Sequence, residues 1–308
     1  MEFGPHLILA MLEGLVQASV LTLTALGLSL VFGVMRVVNV AHGEFFMLGA
    51  VFAYAITDWL TGSAAVGFLA ALIIAPLLVA ALAVVCDRMI LRRLDYDPER
   101  TIVATIGILY VLQQFTLMTY GPDAHPVTPP FNQRLAIPWF EFTDTGLEFY
   151  FPWGLSTTSY KLFVIAAACV AGLGIWILMA RSKLGLILRA TQLDRETAQA
   201  FGIPVERVYA FVFGLGAAIA ALGAVLVVPI QQAHYLMGGD PLLLSFIVVI
   251  IGGLGSLRGT VVAAILIGMS NGVISVFFTP TLAKILATLL VAFVLVYRPA
   301  GLFGTKVA

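Results

Sequence analysis

Nine apolar runs separated by polar breaks constrain this chain more than any other feature; they lie near residues 8–35, 43–60, 64–86, 101–119, 160–180, 208–230, 242–257, 259–279 and 282–298. A bilayer core of about 30 Å takes roughly 20 apolar residues in a helix, and every backbone polar group must be bonded within the segment. The runs are long and do not alternate, so the predicted fold is an all-α polytopic membrane bundle rather than a β-barrel. Composition agrees, at 61% hydrophobic and 10% charged residues with a mean hydropathy of +1.06. The run 242–257 is short and ends in IGGLGSLRG, where Gly252, Gly253, Gly255 and Gly259 mark expected helix breaks. Eight spans with a re-entrant segment and nine full spans both fit this pattern.

Charge orients the bundle. Thirteen of the sixteen basic residues fall on one side of the alternation: Arg36, Arg88, Arg92, Arg93, Arg100, Arg181, Lys183, Arg189, Arg195, Arg207, Arg258, Arg298 and Lys306. Cytoplasmic loops retain lysine and arginine, so the expected N-terminus is outside and the C-terminus cytoplasmic. The opening MEFGPH has no basic n-region, and the first run is expected to be a retained helix. Zero formal net charge gives no argument for nucleic acid. Cys86 and Cys169 lie in or at the ends of apolar runs and are expected as buried, unpaired thiols.

The chain reads as one transmembrane domain over 1–308 with two substantial loops. The outer loop, 120–159, carries Pro122, Pro126, Pro129, Pro130, Pro138 and Pro152 among Trp139, Phe140, Tyr150, Phe151 and Trp153. Proline holds such a loop extended and aromatics suit the headgroup boundary, so it is expected as an interfacial cap, with a docking surface for an outer partner as the alternative. The inner loop, 181–207, looks helical in its middle, with Leu193, Thr197, Ala200 and Phe201 at spacings of three or four.

Catalytic and energy-coupling machinery is not visible in the sequence. It contains no Gly-x-x-x-x-Gly-Lys-Ser/Thr phosphate loop, His-Glu-x-x-His or Cys-x-x-Cys, and no catalytic, cofactor or metal-binding residue is assigned. His42 and Glu44 have a spacing seen in some zinc sites, but the partner cysteines are missing. The runs hold few ionisable groups; Glu13, Asp58 and Lys284 lie near their ends. A substrate path with no visible energy source implies that energy arrives from outside the chain.

Four stretches, in order, carry a resemblance: GLSLVFGVMRVVNVAHGEFFMLGA from Gly27, TIGILYVLQQ from Thr101, RATQLDRETAQAFGIPVERV from Arg189, and IGGLGSLRGTVVAAILIG from Ile251. Together they resemble the permease subunits of the branched-chain amino acid ABC importers, over most of the chain. The resemblance implies a non-catalytic subunit working with a second related permease chain, two cytoplasmic ATPase subunits that hold ATP and Mg, and a periplasmic substrate-binding protein. It implies alternating access for branched-chain or related amino acids, with urea or short amides as the alternative cargo. A partner-independent channel or secondary carrier is the alternative of another class.

Within the inner loop, Glu196, Thr197, Ala198 and Gly202 resemble the Glu-Ala-Ala and glycine pattern through which importer permeases dock their ATPases, with Thr197 in place of the first alanine. Arg189 and Arg195 flank this segment, Gly202 is expected to end its helix, and Pro204 to prevent continuation. The outer loop, with Gln231, Gln232 and His234, then becomes the expected landing surface for the binding protein. Polar residues inside the runs, Gln113, Gln114 and Asn271, are expected as interhelical glue or as lining of the path. The stretch NVAHGE places Asn39, His42, Gly43 and Glu44 at a break, expected near the inner face. There Asn39 would cap the next helix, Glu44 would suit its dipole, and the segment would act as a gate or hinge, or touch substrate.

Overall fold

The computed structural model describes residues 3–60, 62–143, 146–151, 156–297 and 301–303. Pro152, Trp153, Arg298 and Lys306 lie outside the described residues. All nine expected runs are helical: α1 (Phe3–Met35), α2 (His42–Trp59), α3 (Ala64–Met89), α4 (Pro98–Tyr120), α5 (Ser159–Arg181), α8 (Val205–Gln231), α9 (Gly239–Gly252), α10 (Leu257–Phe277) and α11 (Pro280–Tyr297). Six of these, α1, α3, α4, α5, α8 and α10, are long and apolar enough to cross a membrane. In α2 the polar His42, Glu44 and Asp58 dilute the apolar content, and α9 is only 14 residues long.

The inner loop folds as two helices, α6 (Lys183–Leu193) and α7 (Arg195–Ala200), separated by Asp194. Leu193 ends α6, Thr197 and Ala200 lie in α7 and Phe201 follows it, because the Asp194 carboxylate between the two helices caps α7. The described residues of the outer loop contain four short strands: β1 (Arg134–Ala136) pairs antiparallel with β4 (Ser156–Thr158), and β2 (Trp139–Thr143) with β3 (Gly146–Tyr150). Pro122, Pro126, Pro129, Pro130 and Pro138 lie outside these strands, consistent with the donor that proline lacks. The loop packs on the bundle as a cap does: His125 and Ala233 exchange two backbone hydrogen bonds of 2.8 Å, and the His125 ring stacks on Tyr54 at 4.5 Å.

The two most enclosed helices are α1 and α8, lying against each other with α2, α3 and α10 around them. Small residues permit this approach. A Cβ at Gly268 would overlap the Ala18 backbone, and one at Gly49 would lie 2.5 Å from the Ala221 Cα. Backbone proximity of this kind replaces the hydrophobic effect as the source of helix association in lipid. Cys169, expected to be buried, is exposed on α5, because α5 packs on the bundle along one side only; Cys86 is half-buried.

The chain folds back into the bundle at two places. Arg36 lies at the end of the bundle that also carries Arg88, Arg92, Arg93, Arg181, Arg195, Arg207 and Arg258, here termed the basic end. Yet six residues later the His42 ring donates a 2.9 Å hydrogen bond from Nε2 to the Thr24 carbonyl, about 16 Å back along α1. Residues 36–41 are non-helical, and six such residues reach about 20 Å, enough to return to mid-bundle. The second fold-back comes from the far end: after Ala233, residues 234–238 descend until Gly238 meets Gly43. From there α9 runs to the basic end, where Gly255 lies against Gly33. The N-termini of α2 and α9 thus meet in the middle of the bundle.

Candidate functional site

The mid-bundle junction is built from the NVAHGE stretch. Its break lies about three turns deeper than expected, because residues 36–41 re-enter the bundle before α2 begins. Asn39 does not cap α2; Ala41 occupies that position, and the Asn39 Oδ1 accepts from the Ala41 N–H at 3.1 Å, closing the preceding turn. The Val40 N–H is satisfied by the Thr105 hydroxyl of α4 at 3.2 Å. His42 is fully buried and Glu44 nearly so, at 3% exposure, and His42 Nδ1 and Glu44 Oε2 have no hydrogen-bond partner. Unsatisfied buried polar atoms cost about 1–3 kcal/mol each, so the junction holds polarity that packing alone does not explain. A Cβ at Gly43 would overlap the Gly238 carbonyl and stand 2.8 Å from the Leu242 Cβ, so only glycine lets the two helix starts touch.

The glycine break between α9 and α10 is a second close approach. Gly253 and Gly255 have φ of 101° and 79°, which reverse the chain, while a Cβ at Gly259 would overlap the Gly252 carbonyl. Ser256 caps α10 by accepting from the Gly259 N–H at 3.2 Å, and the Thr260 hydroxyl bonds to Ser29 at 2.9 Å. These contacts close the bundle on the basic side of the junction.

Above the junction, toward the far end, lies a cavity of about 440 Å³ between α1, α8, α9, α10 and α11. Thr24, Phe46 and Met237 form its floor beside the junction, and Gln231, His234 and Pro280 stand at its mouth. Asn271 lines it and donates to the Gln17 Oε1 at 2.5 Å, joining α10 to α1. Gln113 and Gln114 are elsewhere: Gln114 is exposed and Gln113 half-buried on the outer face of α4, away from the cavity.

At the basic end, α7 presents a different surface. Ala198 is buried against the bundle, whereas Glu196, Thr197 and Ala200 are exposed, flanked by Leu193 at 81% and Phe201 at 83%. Asp194 accepts from the Glu196 and Thr197 N–H groups and from the Thr197 hydroxyl at 2.5 Å. The Thr197 hydroxyl and amide, then the Glu196 amide and Arg36, hold its carboxyl below the usual carboxylate range. A carboxyl depressed in the folded state supports the cap fully above its unfolded value, about pH 4, and loses that support as pH falls through the lower folded value. Hydrogen exchange of the Glu196 and Thr197 amides should therefore speed up severalfold in Asp194→Ala at neutral pH, with the α8 amides unchanged.

Gly202 has φ of 81°, and its N–H donates to the Gln199 carbonyl at 2.9 Å, ending α7 as expected. Pro204 stands immediately before α8 as its N-cap. Arg195 places its guanidinium over the rings of Tyr96, at 5.8 Å, and Tyr209, at 5.5 Å, which pack edge to face. Burial pushes the Tyr96 phenol up, keeping it a donor, and its hydroxyl reaches Asp87 at 3.4 Å. Arg36 donates to the Gln192 carbonyl at 3.3 Å, Arg92 pairs with Glu206 at 2.5 Å, and Arg189 donates to the Met179 carbonyl. Arg195 thereby ties α7 to the connection between α3 and α4, through Tyr96, and to α8, through Tyr209.

Sequence reasoning passed over Asp194, Tyr96, Tyr209 and Gly238. Asp194 was detectable as a capping residue before the acidic first turn of α7, but the others are brought to the site only by folding.

The family model for the permease component of branched-chain amino acid transport systems matches residues 10–295. The chain belongs to the branched-chain amino acid transport permease family. Among similar proteins, the high-affinity branched-chain amino acid transport system permease LivH of Escherichia coli K12 is 25% identical over 96% of this chain and 94% of its own length. BraD of Pseudomonas aeruginosa, a permease of the same description, is 25% identical over 97% of this chain and 96% of its own. A probable branched-chain amino acid permease of Methanocaldococcus jannaschii is 24% identical over 95% and 91%. No solved structure matches the chain. This permease is accordingly a multi-pass membrane transport component, and its family names describe a transport subunit rather than a catalyst.

Proposed function

We propose that this permease is the membrane-spanning subunit of an ATP-driven importer for branched-chain or related amino acids, switching between outward-open and inward-open states. The observation that carries the reading is α7, a short capped helix at the basic end with Glu196 exposed between exposed Leu193 and Phe201, and with Arg195 laid over the packed rings of Tyr96 and Tyr209. Such an element seats in a groove on a partner and transmits displacement into α8 and the connection between α3 and α4. The partners are two cytoplasmic ATPase subunits, which hold ATP and Mg, so the basic end is cytoplasmic and the N-terminus outside in a bacterial inner membrane. The capped far end, with His125, Gln231, Gln232 and His234, receives a periplasmic substrate-binding protein.

The mid-bundle junction serves as the gate. Two helix starts held by one glycine contact form an element with two discrete arrangements, closed here toward the basic end and open to the 440 Å³ cavity. Asn39, His42, Gly43 and Glu44 set the closed position. Co-purification with the ATPase subunits, and stimulation of their hydrolysis by the substrate-loaded binding protein, test this assignment. Hydrolysis that never responds to the loaded binding protein contradicts it.

The outer face of α4 is the contact for a second permease chain. Gln114, Tyr110 and Phe115 are exposed there, and an amide facing hydrocarbon is costly unless another helix covers it. Gln114→Cys in a background without Cys86 and Cys169 should form a crosslink to the partner permease in membranes, whereas a cysteine at Val170 of α5 should not.

A further inference from the structure

The cavity above the junction combines features that a gate alone does not require. On one belt it holds the Gln17–Asn271 amide pair, and beside it the ion pair of Asp240 and Lys284 at 2.6 Å, contributed by the first turn of α9 and the second of α11. Asn271 Oδ1 is buried with no hydrogen-bond partner, an acceptor left over after its amide N–H is used. Below the belt the walls turn apolar, with Val20, Leu21, Phe46 and Leu244 leading down to the junction.

We infer that this cavity is the holding site on the transport path and that it takes a zwitterionic amino acid with an aliphatic side chain. The inference rests on the reading of the chain as an importer permease. A ligand carboxylate pairs with Lys284, its ammonium with Asp240 and the vacant Asn271 Oδ1, and its side chain lies against Val20, Leu21 and Phe46. Binding exchanges one ion pair for two, so no charge is left uncompensated as the ligand leaves water. The volume falls within the range of small-molecule sites, and a largely apolar cleft with a few convergent polar groups is their usual construction. An uncharged amide such as urea brings no charge to open the Asp240–Lys284 pair and has no apolar body for the lower wall. The substrate enters head-outward and sits directly on the Gly43–Gly238 contact, the element that must part for release.

Ser275 lines the same cavity and gives a probe that touches neither member of the ion pair. In whole cells carrying the full complex, with Cys86→Ser and Cys169→Ala, Ser275→Cys should react with a charged, membrane-impermeant methanethiosulfonate from outside. Millimolar L-isoleucine should slow that reaction about fivefold, as ligand occupancy at several times its dissociation constant requires, and urea should leave it unchanged. Adding Asn271→Leu or Lys284→Gln should abolish protection while labelling persists, which separates lost binding from lost folding. Failure of Ser275→Cys to label, labelling that isoleucine does not slow, or equal protection by urea would each overturn the proposal. ATP-dependent uptake measured on the same cells separates the two readings. Uptake without protection sinks the site and leaves the importer, whereas protection without ATP dependence does the reverse.

Discussion

Gly43→Val should abolish transport and sharply reduce the yield of folded chain. The side chain would be forced into the Gly238 carbonyl and the Leu242 Cβ, and neither can yield without displacing the start of α9. Overpacking of a well-filled core costs about 1–3 kcal/mol when side chains can move, and a backbone obstruction in mid-bundle belongs at or above the upper end. Detergent-solubilised protein followed by size-exclusion chromatography should show the monodisperse peak falling at least severalfold. Gly172→Val on α5 is the matched comparison, since a Cβ there meets nothing within 4 Å, and its yield should be close to wild type. Gly43→Ala, with the smallest possible side chain, should leave some folded protein but little uptake, because the gate would stand ajar.

The second large effect belongs to α7. Gly202→Pro removes the N–H that donates to the Gln199 carbonyl, and it demands a negative φ where the chain has 81°. The turn between α7 and α8 cannot then form, so Glu196 and Phe201 lose their fixed position relative to α8. Copurification with the ATPase subunits should fall at least about tenfold while the permease itself remains folded, since Gly202 is exposed and contacts no other element. Arg195→Ala should act differently: α7 still forms, but its hold on Tyr96 and Tyr209 is lost. Hydrolysis should persist without driving uptake, the signature of a lever detached from its load.

The helices were legible in the sequence because each depends on local information. Long apolar runs fixed the nine helices within a few residues, and Gly202, Gly253 and Gly255 marked ends that their positive φ values explain. What the sequence did not disclose depends on the path of the chain between helices. Residues 36–41 look like an ordinary polar connection, and only their return to Thr24 turns a break at the membrane face into a junction at mid-bundle. For the same reason Gly238 carried no signal, since its partner Gly43 is almost two hundred positions away. Asn271 was singled out as a polar residue in a span, but its pairing with Gln17 and its place in a cavity shared with Asp240 and Lys284 required five helices to assemble. Gln113 and Gln114 show the opposite outcome, being equally polar yet turned to the outer face of α4.

The most direct test of the central claim is concentrative uptake of labelled L-isoleucine into proteoliposomes containing this permease. With the second permease chain, the ATPase subunits inside and the loaded binding protein outside, uptake should require ATP and should vanish in Gly202→Pro; the permease alone should accumulate nothing. Accumulation by the permease alone, without ATP or any partner, would contradict the account.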